Sequence, residues 1–127
     1  MKRMIMILSI MLISTIAYAE PLQVKIAESL IGKGETCGDN CGPWVSKFLN
    51  EDTAHLSWCA GFVSYVLQET EQYDNIPYIL RAKSFLKYGV KVTEPLPGDL
   101  IIFYRGNKNA KTGHVGIVKK VTDKNIY

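Results

Sequence analysis

The chain has 127 residues, a length that suits one domain. Apolar residues make up 47% and aromatic ones 10%, enough for a packed core, which excludes a disordered or low-complexity chain. With 15 Lys/Arg against 12 Asp/Glu, the charge is too nearly balanced to argue for a nucleic-acid partner.

Met1-Lys-Arg3 is a basic start, residues 4–16 are mostly apolar, and Ala17-Tyr-Ala19 has the small-x-small form of a cleavage site. This reads as a secretory signal over residues 1–19, leaving a mature domain of residues 20–127. The apolar run is shorter than the roughly 20 residues of a membrane span. The expectation is therefore an exported protein, periplasmic or extracellular, with no membrane attachment once the leader is removed.

The mature part is unevenly charged. Residues 20–80 carry three Lys/Arg against nine Asp/Glu, and residues 81–127 carry ten against three. Two readings stay open: solvated faces that attract each other, or a basic rim suited to an anionic polymer.

Residues 22–31 read as a short helix with Val24, Ala27, Leu30 and Ile31 on one side. A Gly-rich loop follows over 32–42, and Pro43 then suits the first turn of a helix carrying Trp44, Val45, Phe48 and Leu49. Residues 51–56 form a polar connector. A helix beginning near Ser57 or Trp58 and running to about Glu69 comes next, with Ser57 as its candidate N-cap. Residues 78–88 repeat the helical period through Ile79, Ala82, Phe85 and Leu86, with Gly89 as a cap, and residues 90–93 read as a short extended piece.

The character then changes. After the turn Pro97-Gly98, in which Asp99 reads as a stabilising residue, residues 99–104 form a β-rich apolar run short enough for a buried strand. A basic loop over 105–113 leads to a second strand over 114–118, and residues 122–125 form a turn before a further strand begins at Ile126. Helices first and an antiparallel sheet second make an α+β layout.

Three cysteines accompany the export signal. Cys37 and Cys41 are near neighbours in the Gly-rich loop and can bridge each other, which leaves Cys59 as the odd thiol. Spacing alone does not decide the pairing. A redox role for Cys37 and Cys41 lacks the Cys-x-x-Cys spacing, and a zinc site lacks a second close ligand pair, so no metal is expected.

Cys59 falls in the first turn of its helix, where unpaired backbone N–H groups and the helix dipole favour a thiolate. Phe62, Val63, Val66 and Leu67 share its face. The plainer alternative is a small buried residue on a core helix. A nucleophilic cysteine needs a base, and imidazole titrates in the right range. His55 lies in a connector four residues earlier; His114 begins a strand beside a loop, the better site for an exposed, positioned ring.

The runs Trp58-Cys-Ala-Gly-Phe-Val63, Pro97-Gly-Asp-Leu-Ile-Ile-Phe103 and Gly113-His-Val-Gly-Ile-Val118, in that order and spacing, resemble the papain-like peptidoglycan hydrolases of the CHAP (cysteine, histidine-dependent amidohydrolase/peptidase) and NlpC-type families. The resemblance implies a papain-like fold, with Cys59 as nucleophile, His114 as base and no cofactor. It also implies cleavage of amide bonds in cell-wall peptide. Trp58 is then a candidate for lining the substrate groove, with a core role as its alternative. Gly113 and Gly116 are expected to allow close backbone approach around His114.

These families carry a third polar residue on the following strand to orient the imidazole. Only Asp123 and Asn125 are of the right type nearby, and both read as turn formers. The expectation is that C-terminal strands are missing, that the orienting group comes from elsewhere, or that the chain is a catalytically impaired wall-binding or partner-binding module of the same fold. Neither the bond cut nor any inhibitor protein is legible.

Overall fold

The computed structural model describes residues 18–50, 56–107 and 109–127. The leader up to residue 17 and His55 lie outside them. The architecture is α+β: helices α1 (Leu22–Ser29), α2 (Pro43–Phe48) and α3 (Cys59–Glu69), a 3-10 helix over Ala82–Lys87, and antiparallel strands β1 (Leu100–Tyr104) and β2 (Gly113–Ile117).

Helix α3 is the centre. Its apolar period buries Val63, Val66 and Leu67, and Ala60, Gly61 and Ser64 are buried as well, because neighbours cover more than one of its sides. One side, through Ala60, Val63 and Leu67, forms a core with Ile79, Ala82, Phe85 and Val115, with Leu100, Ile102 and Ile117 packed against it. Another side meets α2 so closely that a Cβ on Gly61 would lie 2.1 Å from the Phe48 carbonyl oxygen. Only glycine fits there.

Helix α1 ends at Ser29, before the expected end, and Ile31 therefore leaves the helix register and is 78% exposed. Gln23, which apolar periodicity does not single out, is buried instead; its amide donates to the Tyr73 hydroxyl and the Gly98 carbonyl, each at 3.2 Å.

The stretch read as one helix over 78–88 divides. Ser64 Oγ donates to the Ile79 carbonyl and accepts from the Ile79 N–H, both at 2.8 Å, which removes Ile79 from any helical ladder. A 3-10 helix remains over Ala82–Lys87, and Leu86 faces solvent. Residues 90–93 make no strand; Val90 is 91% exposed.

In the sheet, Leu100 pairs with Ile117 and Phe103 with His114. Strand β1 is half-buried to exposed rather than buried; besides β2, the element packed against it is the 3-10 helix, while α3 packs on β2. Beyond β2 the chain turns over 122–125, Val121 bridges Ile126, and the Tyr127 backbone pairs with that of Lys120. Glu28 and Lys119 form an ion pair that ties this segment to α1 and raises the pKa of Lys119.

Candidate active site

An open cleft of about 720 Å³ lies where the start of α3, the beginning of β2, the end of α1 and the loop over 32–42 converge. Trp58, Cys59 and His114 all line it, together with Asp39, Asn40 and Arg105. The structure thus brings two residues 55 positions apart to one concavity. Among the described residues no cluster of three or more metal-ligating side chains occurs.

Cys59 is the first residue of α3 and a half-buried free thiol. The N-cap position belongs to Trp58, whose carbonyl accepts the first helical bond from Phe62 N–H at 2.8 Å. The expectation for Ser57 is overturned: the helix starts one residue too late for it, and among the described residues no side-chain hydrogen bond caps α3. The backbone donors of the first turn are left for another acceptor.

The position of Cys59 is set from beneath. Tyr78 places its hydroxyl 2.8 Å from the Phe48 carbonyl and 3.2 Å from that of Gly61, tying the end of α2 to the first turn of α3. Burial, with Tyr65 adding to it, pushes the Tyr78 phenol up to about 12. Trp58 stacks on Phe48 at 5.6 Å and meets Phe62 edge to face at 6.4 Å, so it serves the aromatic cluster and the cleft wall at once.

His114 occupies the second position of β2, not the first. Its ring stacks on the cross-strand Phe103 at 6.1 Å. Among the described residues no hydrogen bond joins Cys59 to His114, and none orients the imidazole. Asp123 and Asn125 lie in the turn after Val121 and are not among the residues lining the cleft, and Asn125 bonds locally to Thr122 and Tyr127. Asp99 accepts from Leu96 N–H at 2.8 Å, the turn role expected of it. Gly113 has the close approach anticipated, since a Cβ there would lie 3.0 Å from the Phe103 carbonyl; at Gly116 the space is ordinary. Lys83 reaches the Ala110 carbonyl and lies over the Tyr104 ring at 4.8 Å, anchoring the loop before His114.

Sequence reasoning missed the third wall. Cys37 and Cys41 form a disulfide with a Cα–Cα distance of 5.2 Å, and Thr36 N–H donates to the Cys41 carbonyl at 2.9 Å. The closed loop presents Asp39 and Asn40 to the cleft, and Glu35 accepts a bond from Trp58 Nε1–H at 2.9 Å. A short cysteine-bracketed Gly-Asp-Asn segment was the available signal for a tight, outward-facing turn.

A family model described as CHAP domain matches residues 50–127. The chain belongs to the CHAP domain family. The match takes in α3, both strands and every residue between, while α1, α2 and the disulfide loop lie before it. The membership agrees with the resemblance carried by the motifs around Cys59 and His114. No curated protein and no solved structure matches the chain.

Proposed function

We propose that this CHAP domain is a papain-like cysteine hydrolase that cuts amide bonds in the peptide part of peptidoglycan, Cys59 being the nucleophile and His114 the base. The observation that carries the reading is the shared cleft: a free thiol at the start of α3 and an imidazole on β2 line one concavity, in a chain of this family.

The chemistry follows from that arrangement. His114 takes the Cys59 proton and the sulfur attacks the substrate carbonyl carbon. The uncapped N–H groups of the first turn of α3 receive the developing oxyanion. Collapse expels the amine, which takes its proton from the imidazolium, and leaves a thioester. Water, deprotonated by His114, then releases the acid and restores the thiol. For this, the imidazole leaves its stack on Phe103 and turns to the sulfur when substrate fills the cleft, since catalytic bonds often tighten only in the complex. Trp58, Asp39 and Arg105 line the path of the peptide. No cofactor is needed.

The signal-like leader over 1–19 supports export to the periplasm or the cell exterior, where the wall lies, with residues 20–127 as the working domain. Among the described residues no helix is long and apolar enough to cross a membrane.

The test is release of new amino groups from purified wall by the wild type, Cys59→Ala and His114→Ala. Loss of about a thousandfold or more in both variants is expected. Equal activity in wild type and Cys59→Ala would end the proposal. A second reading, a wall-binding or partner-binding module without chemistry, is favoured by the lack of a Cys59–His114 hydrogen bond. It predicts that wild-type protein sediments with wall and releases nothing.

A further inference from the structure

The loop over 32–42 enters the proposed chemistry only as a wall, yet its bonds reach the residue before the nucleophile. Trp58 Nε1–H donates to Glu35 Oε1 at 2.9 Å, a bond strengthened by the charge on its acceptor. The Gly34 backbone lies along the same indole; a Cβ there would be 3.8 Å from the six-membered ring. The indole also rests against Phe48 and Phe62. Glu35 in turn sits beside a turn that is covalently closed, with both Thr36 N–H and Cys37 N–H directed at the Cys41 carbonyl. Cys59 itself is held independently of the loop, through the packing of Gly61 on Phe48 and the Tyr78 hydroxyl.

We propose that Glu35 is a positioning residue for substrate binding: its carboxylate fixes the Trp58 indole in the cleft wall beside Cys59, and the Cys37–Cys41 bridge keeps Glu35 within reach. The kinetic half of this rests on the hydrolase reading above; the positional half does not. An indole free to turn about its χ angles loses the fixed wall that a bound peptide packs against. Binding is therefore weakened, while the thiol, which rides on the α3 backbone, keeps its place.

The experiment uses purified protein carrying Trp44→Phe, so that Trp58 is the remaining one of the two tryptophans. Into it go Glu35→Leu, Glu35→Gln and the double change Cys37→Ser with Cys41→Ser. Glu35→Leu and the double variant are expected to move the Trp58 emission to longer wavelength and weaken its near-ultraviolet dichroism. They also raise KM on wall peptide about fivefold with kcat held within about twofold, the scale of one lost solvent-exposed hydrogen bond. Glu35→Gln keeps an acceptor oxygen and restores both signals. Unchanged Trp58 spectra in Glu35→Leu overturn the proposal, as does a Gln variant as impaired as Leu. If the wild type cuts no wall peptide, the hydrolase reading falls and the spectra alone decide this one.

Discussion

At the scale of single residues, the site depends on contacts that are not chemical groups of the reaction. Gly61 is two positions after Cys59, and its missing side chain is the space that the Phe48 carbonyl occupies. Gly61→Ala is expected to force α2 and α3 apart at a cost of about 3 kcal/mol, the upper range for overpacking, read as a fall in the chemical-denaturation midpoint. An unchanged midpoint would mean that the close approach is not needed. Tyr78 reports on the same joint. Its phenol holds its proton up to about 12 in the fold, against an ordinary value near 10. The folded state therefore binds the extra proton across that window, and the stability it contributes is complete below about pH 10 and lost toward pH 12. The stability difference between wild type and Tyr78→Phe should shrink over that range. A constant difference would remove burial as the cause.

At the scale of elements, the division of residues 78–88 shows where a helical period misleads. Ile79, Ala82 and Phe85 are all buried as their spacing implies, but the backbone of Ile79 is claimed by Ser64. A serine on an apolar helix gives no hint from its own position that it will take both polar groups of a residue 15 positions away. Ser64→Ala leaves a buried N–H and C=O unpaired and should cost about 2 kcal/mol in unfolding free energy. Ser64→Thr, which keeps the hydroxyl, is expected to lose less. Equal losses would place the effect in packing. Helix α3 was legible because its apolar run is long and periodic, and the strand pair because a turn signal and glycines bound it. The disulfide loop was legible as a loop but not as a wall, since the Glu35–Trp58 bond spans 23 positions and follows no local pattern.

At the scale of the whole molecule, one helix carries the organisation. Helix α3 has the Phe48 aromatic cluster on one side and Val115 with the sheet on another, and its uncapped first turn opens into the cleft. That is why motifs at Cys59 and His114 could be read from sequence: each lies within the first two residues of an element that packs against the same core. The charge division between the two halves does not become one acidic and one basic face at the site, since Asp39 and Arg105 line the same cleft. What remained illegible was the rotamer of His114, which depends on the cross-strand ring of Phe103.

The central claim is that the sulfur of Cys59 and the imidazole of His114 work as a pair. With Cys37 and Cys41 bridged, Cys59 is the thiol open to iodoacetamide, and its alkylation rate near neutral pH can be compared between wild type and His114→Ala. A pair predicts labelling about tenfold or more faster in the wild type, because the imidazolium holds the reactive thiolate. Equal rates in the two proteins would contradict it.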